Sequence, residues 1–141
     1  MNDGFPHDHS IPTTVGLQVP AAPQQLTLLR ALAETVTLLA DFDIGEVNDI
    51  RLVLDEVATL LVRDAIPGTA LDCDLTYDSD GVTVRVAAVA STATALDDSS
   101  LSWHIVRTLA DSVRTVKELA AIPAVGYPTV VEFRWLRTSR S

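Results

Sequence analysis

The chain has one cysteine, Cys73, so it can form no intrachain disulfide. Small domains built for oxidising compartments often carry several bridges, and a lone thiol points to a reducing one. No apolar run approaches the ~20 residues that a membrane-crossing helix needs. The opening residues, MNDGFPHDHS, lack the basic start and apolar core of a signal peptide. A cytoplasmic protein with no membrane partner is expected. Basic residues are scarce: ten Lys and Arg stand against nineteen Asp and Glu, a formal charge of −9. They are dispersed, apart from Arg134, Arg137 and Arg140 near the end. Nucleic-acid binding rests on neutralising phosphates, so this balance argues against it. There is no zinc-ligand spacing, no Ser-His-Asp order and no internal repeat. His7-Asp8-His9 supplies only two imidazoles in a loose segment, so no metal site is expected.

What remains is an acidic chain of 141 residues, a length that fits one compact domain. The acidic excess keeps a small protein soluble and suits a basic protein partner through steering of encounter. Residues 1–14 have no periodicity and read as a disordered tail, residues 15–137 as a single domain, and residues 138–141 as a second tail. Val15-Gly16-Leu17-Gln18-Val19 alternates as a strand does. After Pro20 and Pro23, Leu26, Leu29, Ala33, Val36 and Leu39 or Ala40 recur at helical spacing, which predicts a helix over 24–40. Asp41-Phe42-Asp43 ends it. Asp43 and Glu46 form the pattern of a capping box. Val47, Ile50, Val53, Leu54, Val57, Leu60 and Leu61 then extend a second helix to about Ala65, before Pro67-Gly68.

Leu71 to Tyr77 alternates with period two, Asp78-Ser79-Asp80-Gly81 makes a tight turn, and Val82 to Val86 returns antiparallel. This alternation places Cys73 in the core as an inert thiol. The small, polar stretch from Ala87 to Ser100 reads as a long loop. A third helix is expected over 99–111 with Leu101, Ile105 and Leu109 inward and Val106 and Val113 as further candidates for the stripe, then a strand from Ser112 to Leu119. A final strand from Tyr127 to Leu136 has Val131, Phe133 and Trp135 on one side and Glu132 and Arg134 on the other. The order implies an α+β fold: a two-layer α/β sandwich whose mixed, mostly antiparallel sheet carries helices on one face.

Three segments give a resemblance: Arg51 to Leu60 in the second helix, Ser100 to Val106 opening the third, and the closing strand. Over about residues 15–137 the chain resembles the RsbW-type anti-sigma factor and serine kinase family, whose fold is the GHKL (Bergerat-like) ATPase fold. The resemblance implies a helix-borne Glu for base or water-orienting work and, four residues later, an Asn that holds magnesium. Glu56 matches the first, and Leu60 stands at the second. A hard cation takes oxygen ligands, which Leu60 lacks. Thr59 points about 100° away around the helix. The family's Asp-x-Gly-x-Gly turn corresponds to Val86 to Ala93, which contains neither residue type. Its glycine-rich phosphate turn corresponds to Ser100-Leu101-Ser102-Trp103.

Of that apparatus only Glu56 survives, as the candidate catalytic residue, and a flanking surface carboxylate is the commoner role for such a Glu. Asp55 is expected to be solvated, and His104 to pack beside Trp103. The resemblance implies an anti-sigma factor that sequesters an alternative RNA polymerase sigma factor. Its antagonist would be a STAS-type anti-anti-sigma protein, it would pair as a homodimer, and its kinase activity would be lost or weakened. No cofactor is expected, ATP and magnesium being implied by the family alone. The alternative is an active serine kinase acting on the antagonist. Asp41, Asp43, Glu46, Asp49, Asp97 and Asp98 are the candidate partner contacts.

Overall fold

A computed structural model describes residues 11–92, 101–117 and 126–137. β1 spans Thr13–Pro20, and a short 3-10 turn, Pro23–Gln25, leads into α1 (Leu26–Leu39) and α2 (Ile44–Arg63). β2 (Ala70–Tyr77), β3 (Gly81–Ala90), α3 (Leu101–Leu109), β4 (Ser112–Lys117) and β5 (Tyr127–Leu136) follow. The five strands form one sheet in the order β1-β2-β3-β5-β4. Every pairing among them is antiparallel, so the expected sheet has no parallel pair among the described strands.

Alternation decides which face is covered. Leu71, Cys73 and Leu75 of β2, Val82, Val84 and Val86 of β3, and Val131 and Phe133 of β5 have no solvent exposure. They meet Leu29, Ala33, Ile50, Val53, Leu54 and Val57 from α1 and α2 in one apolar core. Each side chain of Leu or Phe size contributes about 1.5–3 kcal/mol when removed from water. Phe133 and Trp135 pack edge to face, their ring centres 5.7 Å apart. The outer face carries Asp72, Asp74, Thr83, Arg85, Glu132 and Arg134, which suits a two-layer sandwich with one solvated side.

α2 starts as its sequence predicts. The Asp43 carboxylate accepts from the Glu46 amide at 2.8 Å, and Glu46 Oε1 accepts from the Asp43 amide at 3.2 Å. α1 ends by a device the sequence hides. Asp41 adopts φ 65°, a left-handed conformation usually reserved for glycine. Its amide bonds to the Leu38 carbonyl and the Phe42 amide to that of Thr37, both at 3.1 Å, satisfying carbonyls the helix leaves open. Phe42 is thereby buried, with the Arg137 guanidinium stacked 4.4 Å from its ring centre.

Several boundaries differ from expectation. Thr13 and Thr14 are not tail but pair with Tyr77 and Thr76 in the sheet. Residues 1–10 and 138–141 lie outside the described residues, as do Ser99 and Ser100, the expected caps of α3. α2 ends at Arg63, short of Ala65. β3 runs on to Ala90, through the segment that reads as loop. Alanines provide too little contrast between faces to display a period, yet Ala88 and Ala90 are buried and Ala87 to Ala90 pair with Val130 to Tyr127. In α3 the inward residues are Trp103 and Val106, while Leu101 is 74% exposed. Val106, a candidate for the expected stripe, is fully buried, and Leu109 and Val113 pack against the margin of the core, so Leu101 is the stripe residue that points outward.

Candidate functional site

Among the described residues, parts of the segments that would cradle a nucleotide are built into the core. Glu56 lies on α2, half-buried, with no hydrogen bond or ion pair to another residue among those described. Leu60, one turn on, is only 5% exposed and belongs to the apolar cluster. It fills the interior at the position where a metal-holding amide would have to face a cleft. The stretch corresponding to the glycine turn is fixed on both sides. Val86 to Ala90 pair with β5, Ala65 bridges to Ala90, and the Ser91 amide donates to the Asp64 carbonyl at 2.8 Å. Backbone already committed to a sheet cannot wrap a ligand. Trp103 is buried in place of an open phosphate turn, with the Arg107 guanidinium 5.6 Å from its ring centre. These positions do not fit a magnesium-bound triphosphate.

His104, expected to pack beside Trp103, is instead exposed. Successive helix residues lie about 100° apart, so burying Trp103 turns its neighbour outward. Cys73 is in the core, as expected. Burial pushes its thiol up to about 12, with the Asp74 carboxylate adding to the rise.

The acidic candidates are only partly brought together. Asp41, Asp43, Glu46 and Asp49 cluster at the turn between α1 and α2 and along the first turns of α2. Asp43, Glu46 and Asp49 are spaced by three residues and share a helix face. Asp43 and Glu46 also hold the cap, so their carboxylates have a structural task before any partner arrives. Asp97 and Asp98 lie outside the described residues.

A second charged surface went unread in the sequence. Arg30 and Asp55 pair at 2.7 Å, and Arg51 and Glu34 at 3.1 Å, so Asp55 is bridged to α1 and not merely solvated. The two pairs border a groove of about 280 Å³ lined by Arg30, Asn48, Arg51, Leu52 and Asp55. A signal was available. Arg30 and Glu34 stand four apart on α1, Arg51 and Asp55 four apart on α2, and antiparallel packing brings opposite charges together. These are exposed pairs, worth about 0–1 kcal/mol each, so they align the helices more than they stabilise them.

No protein-family model matches the chain. Over 101 residues it is 38% identical to the anti-sigma-F factor RsbW of Mycobacterium tuberculosis, in both the CDC 1551 and H37Rv strains. The match covers 72% of this chain, and the chain spans 60% of the length of these curated relatives. Over the matched span, then, the chain is similar to these RsbW anti-sigma factors, and its α+β architecture agrees with that likeness.

Proposed function

We propose that the chain is a cytoplasmic regulator of transcription that sequesters an alternative RNA polymerase sigma factor. A STAS-type anti-anti-sigma protein releases the sigma factor by competing for the chain, which itself pairs as a homodimer and regulates a stress response. The relatives' name supports the sigma-binding part. The charge of −9 supports it physically, because an acidic binder can compete for the basic surface that a sigma factor turns towards DNA. The acidic turn between α1 and α2 is the contact region that this reading favours.

Release works by competition and not by phosphorylation, and one observation carries this part: Leu60 is sealed in the core. Phosphoryl transfer is catalysed mainly by placement and charge neutralisation, which require metal and positioned phosphates together. Glu56 alone supplies neither.

Two measurements test the parts separately. Co-expression of the full chain with each alternative sigma factor of its source genome should yield one that co-elutes with it. If none does, the sigma-binding proposal fails. Titration calorimetry with magnesium and ATP should show no binding. Metal-dependent heat, followed by transfer of labelled phosphate to a serine of the antagonist, would establish the active kinase instead.

A further inference from the structure

Two carboxylates of the α1–α2 turn stand on either side of a buried aromatic ring. Asp41 and Asp43 are exposed, while Phe42 between them is only 4% exposed. Backbone bonds fix the path of the turn: the Asp41 and Phe42 amides close the end of α1 on the Leu38 and Thr37 carbonyls, and Asp43 caps α2. Those bonds do not hold the ring, which also needs cover from water on its outer side. The cover comes from the far end of the chain.

Arg137 follows directly on β5. Its guanidinium lies over the Phe42 ring, with Cζ 4.4 Å from the ring centre. Its Nη2 donates to the Asp78 carbonyl at 3.1 Å, and its backbone amide donates to the Asp80 carbonyl at 2.8 Å. The base of this arm is firmly seated. Gly81 pairs with Leu136, and so closely that a Cβ on Gly81 would run into the Trp135 carbonyl. Three segments therefore meet at Arg137: the end of β5, the β2–β3 turn and the α1–α2 turn. A planar guanidinium suits the place, because it can stack on a ring and still donate in its own plane. Among the described residues its partners are a ring and carbonyls, and no carboxylate pairs with it.

We infer that Arg137 is a positioning residue for the α1–α2 turn: by clamping Phe42 it holds the Asp41 and Asp43 carboxylates in the direction that a basic partner meets. The inference rests on the reading of this turn as the sigma contact. Charge alone would give Arg137 the opposite role. A cation beside an acidic turn weakens the local field and slows encounter with a basic partner, so its removal would tighten binding. If Arg137 acts through Phe42, its removal loosens the ring and the turn, and binding weakens. The two roles differ in sign.

Calorimetry of the full chain with the sigma factor that co-elutes with it tests the inference. Arg137→Ala should weaken binding about tenfold, the size of one cation–ring contact, although the variant is more acidic. Arg137→Lys keeps the charge but not the planar fork, and should weaken binding in part. Phe42→Leu should act like Arg137→Ala, and combining the two should cost little more than either, because they work as one unit. Circular dichroism checks that each variant is folded. Tighter or unchanged binding by Arg137→Ala overturns the inference, as do additive losses in the double variant. Amide exchange on the unbound chain supplies a second readout that needs no partner. The Asp41 and Phe42 amides should exchange about tenfold faster in Arg137→Ala, with the interior of β5 unchanged. An equal loss of protection throughout would mean that Arg137 merely stabilises the fold, and the inference would fail. If the wild type captures no sigma factor, the functional reading fails, and amide exchange alone decides whether Arg137 holds the turn.

Discussion

The two edges of the sheet are made of opposite materials. β4 is charged: Arg114 reaches Glu132 of β5 at 3.2 Å. Asp111, just before the strand, fastens it to β5 through its amide, 2.9 Å from the Arg134 carbonyl, and its carboxylate, 2.6 Å from the Leu136 amide. β1 is held by neutral groups on its own side. Gln18 Nε2 donates to Asp72 at 2.8 Å, and the Thr14 and Thr76 hydroxyls meet at 2.8 Å. Across the outer face, Asp74, Arg85, Glu132 and Arg114 stand opposite one another in strand register, so charge alternates over four strands. The row ends at Gly16 of β1, where a Cβ would meet the Asp74 carboxylate. A charged edge resists pairing with foreign strands, and an uncharged one invites it. Within one acidic chain the contrast separates a guarded edge from one available for contact.

The largest expected effect tests how thin the covering is at the uncharged end, where α1 packs on β2. Leu29 is 1% exposed and Leu28, its neighbour, 50%. Leu29→Ala should cost about 2–5 kcal/mol in urea unfolding, the range for truncating a buried leucine. Leu28→Ala should stay within about 0.5 kcal/mol, as surface changes do. Equal losses would mean that Leu28 is core and the contrast between the edges is misdrawn.

Cys73 sharpens the same side from within, because it pairs with Leu17 in the sheet. Its thiol is raised from 9.0 to about 12 in the fold, first by burial and then by Asp74. The unfolded chain therefore loses this proton at a lower pH than the native one. The contribution of Cys73 to stability is full below about pH 9 and falls as pH rises towards 12. Unfolding free energies measured across that window should decline, and a Cys73→Ala chain should decline less. At neutral pH a thiol reagent should label Cys73 only on unfolding, and rapid labelling of the native protein would show that β1 frays.

Smaller effects belong to the charged side. Asp43→Ala removes the cap of α2 and should cost about 1 kcal/mol. An unchanged denaturation midpoint would show that the capping box is idle. Arg114→Ala should cost at most about 1 kcal/mol and lose even that in salt. Its expected consequence is concentration-dependent association through β4, visible in light scattering. A large stability loss without association would show that the charge holds the strand and does not guard it.

Much of this was legible beforehand. The capping box of α2, the Asp78–Gly81 turn, where Asp78 Oδ1 accepts from the Asp80 and Gly81 amides, and the alternation of β5 follow from short-range spacing. The candidate site was legible by subtraction, since leucine at position 60 cannot hold a cation wherever it points. What stayed hidden depends on contacts between distant residues. The alanines of β3 reveal a strand only once β5 lies beside them. Asp41 can close a helix in a left-handed turn, but nothing local announces it. The Arg30–Asp55 and Arg51–Glu34 pairs need two helices to be placed antiparallel first.

By itself, then, the sequence determined most of the elements, the buried face of most of them and the lack of an oxygen donor at position 60, because helix and strand periods and side-chain donors are local properties. The tertiary structure alone decided that Leu60 is interior, that the charges of α1 face α2, and that Arg137 covers the Phe42 ring. Burial and juxtaposition arise only when segments far apart in the chain pack together.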